Sequence, residues 1–422
     1  MSASVVNITP DGPVALFGRA ARTGHYETIA TALEANVIAL PAEHGTLILI
    51  GLDTLFSSTR LKQKVVARLT QSERSALAEL VLVATHTHNA PALDASKPRL
   101  GALDDGYLAM VADPLATAMS ALLAGTPAPV VLTRGASVCT FNARRRRHGL
   151  RLRKRWPYVS RGINLVPVHD EGVPRAVDVI VARGEGGRAR WALWSWTCHA
   201  TSAPELRSVS ADFPGAVRDE LRARLGEPGL PVVYLPGFCG DIRPDPSVLP
   251  LNFTSLITTP LQRPFARATA DNYAALCAAL TTAIGSALAA ASPLGPLAPA
   301  RIGRAQLALD AMIAPAEQAP VEGAMDVTSI DMGVLGLLLL GAEVCSPYLA
   351  KLTALVPAGW LMSGYAGQVF GYLPSDEQIA EGGYEADEFY ELFGLRGRFR
   401  AEIEDQVSEA VKRSVAAARQ DG

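Results

Sequence analysis

Six short apolar runs most constrain what this chain can fold into: Thr46–Leu52, Leu80–Ala84, Val177–Ala182, Arg190–Trp196, Pro231–Leu235 and Val334–Leu340. Each is bounded by polar residues, Gly or Pro, which is the pattern of strands covered on both faces. Helical spacing fills the gaps, over Leu61–Ala78, Asp113–Ala124, Gly215–Leu225, Pro264–Ala291 and Arg398–Arg419. Asp212 precedes the third of these with Pro214 in its first turn, and reads as an N-cap. Interleaved strand and helix signals predict an α/β protein with mixed multi-strand sheets covered by helices. Two stretches read as irregular, the basic Phe141–Ser160 and the Pro/Thr-rich Pro246–Pro260. The 422 residues are assigned to one large domain, 1–422, with a candidate linker at Pro293–Pro299 that would allow two lobes.

Composition narrows the classes of function. With 49% apolar residues, 19% charged residues and a net charge of −2, the chain can bury a large core and lacks the basic excess of a nucleic-acid binder. The apolar stretch Gly333–Ala342 is about half of the roughly 20 residues that a spanning helix needs, so stable membrane insertion is not expected. The N-terminal residues lack the basic and apolar regions of a secretory signal. Five scattered cysteines form neither a disulfide framework nor a zinc knuckle, and a cytoplasmic location is the expectation.

The sharpest local feature is Ala84-Thr-His86-Thr-His88-Asn-Ala-Pro91 directly after an apolar run. Strand alternation would place His86 and His88 on one face, where two imidazoles can converge on a metal. A second apolar run leads into His199, and a third, Leu337–Leu340, into Gly341-Ala342-Glu343. A carboxylate at that point is costly to bury unless a cation meets it. Tyr372 and Tyr384 stand in glycine-rich contexts, which favour exposure to a site over a place in the core. The segment Arg144–Arg155 holds eight Lys or Arg and no acid; it reads as a solvated loop, or as a basic rim that selects an anionic substrate. Asp53, after the first apolar run, is a candidate partner for a metal-bound histidine.

Taken together and in this order, the A-T-H-T-H-N-A-P segment, the strand-end His199, Gly-Ala-Glu343 and Tyr372-Leu-Pro-Ser followed by Gly-Gly-Tyr384-Glu resemble the catalytic domain of the neutral/alkaline (non-lysosomal) ceramidase family. The resemblance implies one zinc ion held by His86, His199, Glu343 and Tyr372. It also implies that His88 contacts substrate, that Tyr384 polarises the scissile carbonyl, and that an arginine near Asn142 assists the oxyanion, with Arg145 first and Arg144 second. A zinc-activated water would then attack an amide or, less favourably, an ester carbonyl. Each oxyanion donor in such a hydrolase is worth roughly 3–4 kcal/mol. Two departures stand out. The family's G-D-x-S-P is here Gly240-Asp-Ile-Arg243-Pro, and the resemblance leaves no length for the immunoglobulin-like C-terminal domain of secreted members. They point away from ceramide itself and towards a smaller or more polar acyl compound, an anionic one if the basic rim is real. The alternatives are a (β/α)8-barrel amidohydrolase using His86, His88, His169, His199 and a late-strand Asp, or an inactive binding protein of the same fold.

Overall fold

The structure is a computed structural model that describes residues 2–152, 159–246, 264–315 and 321–419. Three sheets form its frame. The first runs in the order Ala3–Asn7, Glu34–Ala42, Gly45–Leu52, Leu77–Ala84. The second has the order Val232–Pro236, Ala189–Trp196, Ala176–Arg183, Val131–Val138, Ser292–Pro296. The third has the order Arg301–Ala308, Ala324–Asp331, Gly336–Leu340, Leu361–Ser363. Each sheet is an antiparallel meander with a single parallel pair at one edge: Gly45–Leu52 with Leu77–Ala84, Ala189–Trp196 with Val232–Pro236, and Gly336–Leu340 with Leu361–Ser363. These sheets are mixed, and among the described residues none closes into a barrel, so the barrel alternative falls.

Side-chain alternation explains how the sheets pack. One face of each contributes to a shared central core, with Leu49 and Val83 from the first sheet, Leu193 and Val233 from the second, and Leu337 and Leu339 from the third. The sheets approach so closely that a Cβ on Gly51 would stand 2.9 Å from the Val233 side chain. The outer faces carry the helices. Thr59–Ala67 and Asp105–Leu123 cover the first sheet, Asp212–Leu225 and Ala270–Ala289 the second, and Ile403–Arg419 the third. Asp105–Leu123 and Ala270–Ala289 are long and apolar enough to cross a membrane by length and composition alone, although neither is an unbroken apolar run. Both lay apolar residues, such as Leu115 and Leu280, against a core.

Several expectations are corrected. The helix expected over Leu61–Ala78 breaks after Ala67 and restarts at Gln71–Ala76 behind a Thr70/Glu73 capping box, and the next strand begins at Leu77. The long helix expected from Pro264 begins at Ala270. The basic stretch expected as a loop is a strand, Asn142–Leu152, paired antiparallel with Val159–Val168 and with Ile242–Pro244. Residues 153–155 of the basic segment, and 247–260 of the second irregular stretch, lie outside the described residues. The candidate linker is an edge strand, where proline's missing donor is tolerated. Beyond it Leu297 N–H donates to Val130 and Ala298 N–H to Met332, which ties the segment to its neighbours.

Candidate metal centre

The three parallel pairs aim the C-terminal ends of their strands at one place, and the candidate residues lie just beyond those ends. His86 follows Leu77–Ala84, His199 follows Ala189–Trp196, and Glu343 follows Gly336–Leu340. Their neighbours in each pair lead into Leu55, Cys239 and Tyr365. Carboxyl ends of parallel strands are where open α/β sheets bind ligands, because the loops there must diverge.

Backbone carbonyls orient all three imidazoles. His86 Nδ1 lies 3.0 Å from Leu55 O, His88 Nδ1 2.9 Å from Gly18 O, and His199 Nδ1 2.6 Å from Cys239 O and 3.0 Å from Ile242 O. A carbonyl only accepts, so each Nδ1 carries the proton and each Nε2 presents a lone pair. Those lone pairs converge. His86 Nε2 is 3.3 Å from His88 Nε2, and Glu343 Oε2 is 3.3 Å from both His86 Nε2 and His199 Nε2. The ligand atoms of the three histidines all lie within 4.8 Å of one another. His86, His199 and Glu343 are each 1% exposed, and His88 is half-buried, so the cluster opens to solvent on the His88 side.

This arrangement has acceptors facing acceptors. His199 Nε2 and Glu343 Oε2 are buried without a hydrogen-bond partner. Burial lowers His199 to about 4 and His88 well below the usual histidine range, in both cases helped by neighbouring imidazole. Burial by itself would raise Glu343, but His86 and His199 outweigh it and hold the carboxyl below its ordinary value. An ionised carboxylate among imidazoles whose second nitrogens sit on carbonyls fits a divalent cation that takes N and O ligands.

A second wall adjoins the cluster. Tyr372 is the register partner of Glu343 in a short parallel pair, and its ring lies 5.5 Å from that of Tyr384. The Arg145 guanidinium stands 5.4 Å and 5.3 Å from the centres of these two rings. Its Nε donates to Glu385 Oε1 at 2.6 Å and Nη2 to Gly240 O at 2.8 Å. Burial works against its charge, but Tyr372 and Glu385 hold it firmly protonated. Burial raises both phenols, so each keeps its O–H proton.

Some expected roles are redistributed. Arg144, the second choice for the oxyanion, pairs with Asp170; the strand register shifts between Arg144 and Arg146, and Arg145 and Arg146 both turn to Glu385 instead. The expected basic rim is neutralised at its start, since Arg145 and Arg146 share Glu385. Asp53 touches no histidine; it accepts from Arg218 at 2.6 Å and from Glu34 N–H at 2.9 Å. Asp212 is not a conventional N-cap, as Ala211 holds that position. Its carboxylate instead accepts N–H donors from Ser202 and Ala203, just past His199, both at 2.8 Å. His169 pairs with Asp245 at 2.6 Å, apart from the cluster. His86 itself lies past the end of its strand at φ 63°, so a turn, not strand alternation, brings the two histidines together. The sequence assigned no role to Tyr365, whose ring lies 4.2 Å from that of His86, or to Glu385, which directly follows Tyr384.

No protein-family profile matches this chain, and no curated protein matches it. Solved structures do, two ceramidases among them. One is the neutral ceramidase from Pseudomonas aeruginosa, with a TM-score of 0.71 and 14% identity, over 98% of this chain and 74% of that one. The other is described as a ceramidase complexed with C2, with a TM-score of 0.70 and 14% identity, over 100% of this chain and 76% of that one. The architecture expected from the ordered motifs is therefore the observed one, and the chain has the fold of the neutral ceramidases.

Proposed function

We propose that this chain is a zinc-dependent hydrolase that cleaves the amide bond, and less readily the ester bond, of a small acyl substrate. The observation that carries the reading is the convergence of ligand atoms from His86, His88, His199 and Glu343, with His199 Nε2 and Glu343 Oε2 buried without a hydrogen-bond partner and each imidazole locked by a main-chain carbonyl. The ceramidase fold supports it. His86, His199, Glu343 and Tyr372 would hold the ion, which supplies an activated water and a polarised carbonyl when bound.

The remaining roles belong to the protein's own groups. Tyr384 and Arg145 share one side of the cluster and can donate to a carbonyl oxygen as it gains negative charge. Glu385 fixes the Arg145 fork, so that donor is in place before substrate arrives. His88 is the most exposed histidine of the cluster; with Nδ1 bonded to Gly18 O, its Nε2 can accept a proton and pass it to the leaving amine. Five free thiols, four of them buried, support a reducing, cytoplasmic setting.

The test is metal analysis joined to turnover. Purified chain should carry one zinc per molecule, and hydrolysis of an N-acyl amine should stop with a chelator and return with added zinc. Turnover that survives complete chelation overturns the mechanism. Protein that holds no zinc and gains no activity from it is the inactive binding protein.

A further inference from the structure

Gly18 and Ile242 provide carbonyls that lock His88 and His199, and the residue after each is an arginine, Arg19 and Arg243. Chain connectivity therefore fixes both arginines beside the histidine cluster. Both are half-buried, and Arg19 lies within electrostatic reach of His88 and of Arg243.

Neither forms an ion pair with an acid among the described residues, although Arg19 lies within electrostatic reach of Asp212. Among the described residues Arg243 makes no ion pair or hydrogen bond and rests over the Phe265 ring at 5.0 Å, while Arg19 Nε is buried without a partner. Several other buried guanidinium groups are matched to carboxylates, Arg146 with Glu385, Arg218 with Asp53 and Arg222 with Glu34. Arg22, next to Arg19, finds only the carbonyls of Phe17, His88 and Leu206. The excess positive charge is thus concentrated at the mouth of the cluster. Burial, then Arg145 and Arg19, push Arg243 down to about 10. An incoming anion would relieve both the repulsion and the desolvation.

We infer that Arg19 and Arg243 form an anion subsite beside the metal centre, and that the substrate carries a carboxylate or phosphate close to its scissile acyl bond. The inference rests on the hydrolase reading for its substrate and on the two arginines alone for its subsite. It differs from the basic rim expected from Arg144–Arg155, whose first three arginines are already paired.

Three substrates separate the possibilities on the zinc-loaded enzyme: N-octanoylglycine, N-octanoyl-O-phosphoethanolamine and the neutral N-octanoylglycinamide. One anionic substrate should exceed the neutral one in kcat/KM by at least about tenfold, and the better one identifies the anion. Arg243→Gln and Arg19→Gln should each lower that ratio by roughly tenfold or more. A second measurement needs no turnover. In metal-free protein at pH 8, calorimetry should show glutarate or inorganic phosphate binding, weakened at least about tenfold in the double variant. Arg→Lys variants and thermal unfolding separate lost binding from lost fold. A wild-type ratio near one with good neutral turnover, or anion binding equal in wild type and double variant, overturns the subsite and leaves the hydrolase reading intact. No turnover of any substrate, with anion binding that depends on the arginines, sinks the hydrolase reading and keeps the subsite.

Discussion

Replacing Glu343 by Gln should change metal-free and zinc-loaded protein in opposite directions. Glu343 is an ionised carboxylate, 1% exposed, whose Oε2 faces two lone pairs at 3.3 Å. With the facing rings neutral and no cation bound, that is a cost to the fold, since a buried charge and two acceptors go unanswered. The isosteric amide removes the charge and can donate to His86 or His199, a hydrogen bond worth about 1 kcal/mol. At roughly 2.1 cal/mol/K of unfolding entropy per residue, 1 kcal/mol moves the melting point of a chain this long by about 1 °C. Metal-free Glu343→Gln should therefore melt about 1–2 °C above metal-free wild type. Zinc reverses the order. At a thousandfold excess over Kd, zinc stabilises wild type by about 4 kcal/mol, close to 5 °C. Loss of an outer partner of a metal site costs 10–100-fold in affinity, so loss of a charged ligand should cost at least about a hundredfold. The variant would then gain only about 1.4 kcal/mol at the same zinc concentration. Differential scanning fluorimetry with and without zinc, beside competition with a chelator, measures both halves. A variant that melts several degrees low without metal yet keeps the full zinc shift would show that Glu343 holds the fold and not the ion.

Other perturbations test neighbouring parts of the site. Glu385→Gln strips the shared carboxylate from Arg145 and Arg146, leaving two buried guanidinium groups; a loss of about 3–5 kcal/mol in urea unfolding is expected, with zinc content unchanged. Gly18 has φ +103°, and a Cβ there would stand 2.9 Å from His88 Nδ1, so Gly18→Ala must displace that ring. Its kcat should fall by about 100-fold while zinc stays bound, as metal analysis and steady-state kinetics would record. Metal-free protein should weaken in acid. His199 is lowered from 6.5 to about 4, so below pH 6.5 the unfolded chain takes a proton that the folded chain refuses. The stability present above pH 6.5 is lost as pH falls towards 4, by at most about 3 kcal/mol from this residue, and His88 acts in the same direction. Urea midpoints from pH 7.5 to 4 that stay flat would contradict buried neutral imidazoles.

What could be read from the sequence was what short range determines. Apolar runs ending at His86, His199 and Glu343 marked both the strands and the residues just past them, because burial on two faces leaves a local signature. What failed depends on partners far along the chain. The arginine run looks like a solvated loop until Asp170, Glu381 and Glu385 arrive to neutralise it, and only then can it pair as a strand. Asp53 looked available to a histidine because Arg218, 165 positions away, was out of view. The break in the first expected helix was written locally, in Thr70 and Glu73, and was overridden by the apolar spacing around it. Prolines suggested a linker where they mark a sheet edge, a distinction that the strand itself does not carry.

Backbone strain shows how the histidines come to converge. Among the described residues four other than glycine have positive φ, and three of them, His86, Asp212 and Tyr365, are buried beside the centre. A left-handed conformation costs a residue with a side chain about 1–2 kcal/mol, so the trio represents several kcal/mol against a typical total of 5–15. Each is held by surrounding bonds. Asp212 collects N–H donors from three residues; Tyr365 N–H donates to Ala342 O and its carbonyl accepts from Ala84 N–H; His86 is fixed through Leu55 O. An extended continuation past Ala84 would lay His86 and His88 side by side along one face. The left-handed turn sets their rings nearly perpendicular, 84° apart with centroids 4.9 Å from each other, and brings the two Nε2 atoms together. These bonds, all between protein groups, orient the rings for a cation, so zinc bound at this centre should leave the His86 turn as it is.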